Sequence, residues 1–96
     1  MFQPKKPTHI DRAAAKVANV QVRLHAVGSL PRDTSLELRT DGEVYWLAYV
    51  KDGESLRTSA AIGNTPRDVA RWADGFAHAV FTVTESAYMA LAVRES

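Results

Sequence analysis

The chain of 96 residues has no cysteine, only four prolines and five scattered glycines. Without cysteine there is no disulfide framework, no zinc–thiolate site and no thiol nucleophile. The glycines (28, 42, 53, 63 and 75) form no phosphate-cradling loop and no dinucleotide fingerprint, and no G-x-S-x-G or H-E-x-x-H occurs. Long apolar runs are also missing: none exceeds seven residues, the length of 44–50, far short of a membrane span. The N-terminus, Met1-Phe2-Gln3-Pro4-Lys5-Lys6-Pro7, is basic but has no apolar stretch behind it, so it does not read as a signal peptide. These absences set the expectation of a cytoplasmic protein that is not an enzyme and needs no cofactor or metal. The three histidines, His9, His25 and His78, stand alone, and none has metal-ligand spacing.

Charge of one sign is scarce too. The net charge is +1, although residues 1–31 carry +4 and the rest is slightly acidic. A basic first third suits an acidic protein or nucleic acid, or simply a soluble leader, while an autonomous DNA binder usually has a larger excess. Apolar residues at 46% and charged residues at 24% give an ordinary globular balance, enough for one core. The expected organisation is a basic, flexible leader over 1–7 and a single α+β domain over 8–96.

What is present is punctuation. Asp41-Gly42 and Asp52-Gly53 bracket Val44-Tyr45-Trp46-Leu47-Ala48-Tyr49-Val50, and Asp-Gly between extended segments is a strong hairpin signal. Strands are expected over 35–40, 43–51 and 54–62, forming an antiparallel meander. Upstream, Thr8 and Asp11 have capping-box spacing, and Ile10, Ala13, Ala14, Val17 and Ala18 make a short helical stripe. From Val20 the pattern alternates, with Val22, Leu24 and Ala26 against Gln21, Arg23 and His25, which predicts a fourth strand over 20–27. Downstream, Thr65-Pro66-Arg67-Asp68 is a helix start. Val69, Trp72, Ala73, Phe76 and Val80 share one face of an amphipathic helix over 66–80. Thr82 and Glu85 again have capping-box spacing, and the alanines beyond favour a separate last helix over about 85–94. The alternation of Met89, Leu91 and Val93 would suit a strand instead.

Two-residue turns at both Asp-Gly pairs set Thr40 opposite Glu43, Leu38 opposite Tyr45 and Leu36 opposite Leu47. In the second hairpin Lys51 faces Glu54, Tyr49 faces Leu56, Leu47 faces Thr58 and Tyr45 faces Ala60. One face then collects Leu36, Leu38, Tyr45, Leu47, Tyr49, Leu56, Thr58, Ala60 and Ile62, which the helix over 66–80 is expected to cover. The other face has an apolar spine of Val44, Trp46, Ala48 and Val50, bordered by Glu37, Arg39, Ser55, Arg57 and Ser59. A strand over 20–27 adds Arg23 and His25 to this rim. An apolar centre holding Trp within an Arg-rich border has the anatomy of a binding surface. The candidate partner-binding residues are therefore Trp46, Arg39, Arg57, Val44, Ala48 and Arg23, unless a terminal helix covers Trp46.

In size and layout this domain resembles the small α+β inhibitors of mobile genetic elements, anti-CRISPR proteins among them. That resemblance implies a protein that acts by occupying a partner protein's surface. A second resemblance, carried by Trp46, the Asp52-Gly53 turn, Thr65 and Trp72 within 43–80, is to the arm-type N-terminal DNA-binding domain of tyrosine recombinases. It implies sheet-face contact to the major groove through Arg39, Trp46 and Arg57. Glu37 on that face and the low net charge oppose phosphate binding, so a protein partner is the main expectation. The order strand, Gly63-Asn64-Thr65-Pro66, helix is similar to HicB-like antitoxin domains, whose Pro-Gly strand-end motif is missing here. The Trp72 and Phe76 stripe could alternatively form a homodimer interface.

Overall fold

In the computed structural model, which describes residues 6–95, two helices pack on one face of a three-stranded antiparallel sheet. The order is α1 (His9–Ala26), β1 (Ser35–Thr40), β2 (Tyr45–Lys51), β3 (Glu54–Arg57) and α2 (Pro66–Glu95), with the strands side by side in sequence order. Most of the expected basic leader, residues 1–5, lies outside the described residues.

α1 starts as its sequence predicts. Thr8 accepts from the Asp11 amide, and the Asp11 carboxylate accepts from the Thr8 amide, completing a capping box. The helix then runs through the segment expected to be a strand. Residues 20–27 do not join the sheet, because helical spacing puts Val20 beside Ala13 and Val17 in the core. The polar residues of that segment also find partners: Gln21 accepts from the Leu36 amide, and His25 Nε2 donates to the Thr34 carbonyl. Val22 is left 66% exposed as the cost. Gly28, at φ 78°, ends the helix in a Schellman arrangement, with Ser29 N–H on the Leu24 carbonyl and Gly28 N–H on that of His25.

The two Asp-Gly pairs behave differently. Asp52 and Gly53 both have positive φ, at 53° and 81°, and close the expected two-residue turn with Lys51 opposite Glu54. At the first pair only Gly42 does, and the loop widens to residues 41–44. The Asp41 carboxylate there accepts from the Glu43 and Val44 amides, and Thr40 Oγ1 donates to the Val44 carbonyl. Leu38 consequently faces Leu47, and Leu36 faces Tyr49, two residues away from the expected register. An even shift keeps every side chain on its face.

β3 ends at Arg57 instead of reaching 62. Ser59 Oγ accepts the Leu47 amide where a strand carbonyl would, and the chain rejoins Tyr45 only at Ile62 and Gly63. Tyr45 thus pairs with Gly63, not Ala60. Thr65 then caps α2 through the Asp68 amide, with Pro66 as its first residue. No break separates 66–80 from 85–94. Thr82 and Thr84 return their hydroxyls to the carbonyls of His78 and Val80, one turn back, so neither caps a new helix.

The helices run parallel, Ala13 lying with Val69 and Ala73, and Val17 and Val20 with Ala77. Leu36 and Leu47 complete the core from the sheet, and Trp72 and Phe76, stacked 4.8 Å apart, pack against it. That places the Trp72 and Phe76 stripe in the fold's interior packing. The helical layer stops short of the β2–β3 turn, leaving Tyr49 and Leu56, expected in the core, 41% and 68% exposed.

Candidate functional site

Because Leu36, Leu38, Tyr45 and Leu47 turn toward the helices, alternation turns Glu37, Arg39, Trp46, Ala48 and Val50 to the opposite face. Trp46 lies in neither core cluster; what lies over it is an arginine. The Arg57 guanidinium sits 4.8 Å from the centre of the Trp46 ring, a cation–π contact. Arg57 Nε donates to the Ser59 carbonyl at 2.9 Å, which fixes the plane of the group. None of the ion pairs among the described residues includes Arg57. Its guanidinium is thus held over an aromatic ring without an ion pair, while Asp41 lies near enough to feel its charge. Arg39 lies directly across from Trp46 in the β1–β2 ladder and pairs with Glu37 at 3.5 Å.

Of the six candidate residues, Trp46, Arg39 and Arg57 come together here, and Ala48 and Val44 lie beside them in altered roles. Ala48, between Glu37 and Arg57 in the ladders, is fully buried beneath its neighbours and offers no contact surface. Val44 precedes β2 and belongs to the loop, where it is half-buried. The spine is therefore Trp46 and Val50, with Arg57 and Arg39 as its charged border.

Arg23 is not on this face at all. From α1 it reaches α2, with its guanidinium 4.9 Å from the Phe81 ring and 4.1 Å from the Tyr88 ring, and it donates to Thr84 Oγ1. His25 likewise serves the loop before β1. The glycine at 28 was the sequence signal for this outcome, since a glycine just past a helical stripe is a C-terminal cap.

Two carboxylates are held below their ordinary range. Asp33 is lowered by its contacts with Lys51 and the Thr34 hydroxyl, and Asp41 by the amides of Val44 and Glu43. At Asp33 the main cause is an ion pair with Lys51 at 3.3 Å, and at Asp41 it is a pair of hydrogen bonds within its own loop. Among the described residues no three His, Asp or Glu side chains gather as a metal-holding group. A hollow of about 710 Å³ opens beside Tyr49 and Leu56 at the β2–β3 turn, and Trp46 does not line it. α2 is long and apolar enough by composition to cross a membrane, yet its first half packs on α1 and the sheet. Comparison with protein-family models, curated proteins and solved structures finds no match to this chain.

Proposed function

We propose that this protein is a non-enzymatic binding module that occupies a partner protein's surface through the sheet face centred on Trp46. In its mode of action it would be like the small inhibitors of mobile elements. The observation that carries this reading is the Trp46–Arg57 stack. A large aromatic surface lies beside a guanidinium that is already oriented and forms no ion pair among the described residues. Trp and Arg are the residue types most enriched among interface hot spots. A stacked arginine loses little freedom when it forms a two-pronged contact with a carboxylate. The fitting partner surface therefore has an acidic side chain next to an apolar one. The face also carries Glu37, and the net charge is only +1, which favours a discrete carboxylate over an array of phosphates.

The test is an affinity pull-down with wild-type and Trp46→Ala baits, with and without nuclease. The expected result is a nuclease-resistant partner whose binding weakens by at least about 2 kcal/mol in the variant, the scale of a hot spot. The melting temperature should change little, because Trp46 lies outside both core clusters. Retention of duplex DNA that falls steeply with salt, and is lost in Arg39→Gln and Arg57→Gln, would favour nucleic acid instead.

A further inference from the structure

β1 is an edge strand, so only one of its sides is paired. The amide and carbonyl of Leu47 point to Ser59 and Thr58 on the β3 side, which leaves Trp46, Ala48 and Val50 to bond β1. Their ladder partners are Arg39, Glu37 and Ser35. Leu36, Leu38 and Thr40 therefore direct their amides and carbonyls outward. The Leu36 amide does so visibly, donating to Gln21 Oε1 at 2.8 Å, so a side-chain carbonyl stands where a neighbouring strand would be. On the side away from β2, Leu38 has no strand beside it among the described residues. The edge Ser35–Thr40 contains no proline, lysine or bulge; its protection is the Gln21 cap from α1 and two charges of opposite sign, Glu37 and Arg39.

We propose that β1 pairs with β1 of a second copy of this chain, antiparallel about a two-fold axis through Leu38. In that register the two Leu38 residues exchange both of their backbone hydrogen bonds, and Leu36 lies opposite Thr40 of the second copy, whose carbonyl takes the place of Gln21 Oε1 on the Leu36 amide. Between them, Glu37 lies opposite Arg39 of the other copy, and Arg39 opposite Glu37. The pattern Glu37-Leu38-Arg39 is thus complementary to itself under a two-fold axis. An axis one residue earlier or later sets Glu37 on Glu37 or Arg39 on Arg39, so charge selects the register. Beside the edge, a groove of about 370 Å³ runs between α1 and β1, bordered by Ala14 and Ala18. With the exposed Val22, these residues form an apolar stripe one turn apart on α1. Pairing puts the two stripes on the same side of the joined sheet, facing across the axis. The product is a six-stranded sheet with two Trp46–Arg57 sites on its other face. This inference stands independently of the partner proposed above.

Analytical ultracentrifugation of the full chain tests it. The wild type should sediment, as concentration rises, as a species of twice the 10.6 kDa chain mass. E37R and R39E should each weaken association about tenfold or more, because each sets like charges opposite one another at two places. The double variant E37R/R39E should regain wild-type association. An equimolar mixture of E37R and R39E should form a heterodimer tighter than either variant alone, a result that a folding defect cannot produce. A wild type that stays monomeric, or a dimer indifferent to both reversals, would overturn the proposal.

Discussion

At the scale of single residues, side-chain hydrogen bonds decided what backbone propensity left open. Asp41 and Asp52 precede glycine in the same way, yet only Asp52 takes the positive φ of a tight turn. Asp41 instead uses its carboxylate to hold two amides, and the loop grows by two residues. Its lowered pKa fixes the sign of a pH effect. The ionised form is favoured in the fold, so its contribution is complete above the ordinary value of 3.8 and is lost as pH falls through the lower folded value. Acid titration of thermal stability should therefore show a smaller loss in Asp41→Ala than in the wild type. Leu47, 5% exposed between the sheet and both helices, is a different kind of residue. Leu47→Ala should cost about 2–5 kcal/mol in urea unfolding, as a cavity-forming core change does.

Elements followed their start signals more faithfully than their ends. Both helix N-termini, at Thr8 and Thr65, lie where the caps predict, because a hydroxyl three residues from an amide is a local geometry. The ends depend on what lies nearby in space. Val20–Ala26 alternates like a strand but is helical, and in that form Gln21, Arg23 and His25 each reach a partner. Arg23→Ala should accordingly lower stability by about 1–2 kcal/mol, through lost ring contacts and a hydrogen bond, and leave partner binding unchanged. Gly63, bridged to Tyr45, lies against the first turn of α2, and a Cβ there would meet Asp68 Cβ at 3.2 Å and Val69 Cγ2 at 3.3 Å. Gly63→Ala should therefore destabilise the fold, read as a fall in melting temperature, by forcing the first turn of α2 away from Tyr45.

Across the whole molecule, the sheet and α1 are both shorter than α2. The core lies along residues 69–84 of α2, with Val69, Ala73, Ala77 and Thr84 all buried. Beyond it Met89 and Val93 are 55% and 70% exposed, and Val83 is 79% exposed on the side away from α1. A helix stabilised by tertiary contacts opens first where those contacts end. Amide hydrogen exchange should thus be slow over 69–84 and markedly faster beyond Tyr88. The sequence by itself determined the α+β class, the three-stranded meander, both helix starts and the face that each residue of β2 occupies. Those properties rest on period, caps and turn residues within a few positions of one another. Only the tertiary structure decided that 20–26 is helical, that α2 does not break, that Ala48 is covered and that Arg57 lies over Trp46. Each of these depends on side chains that meet across long stretches of chain or between strands, where register and partner are set by packing.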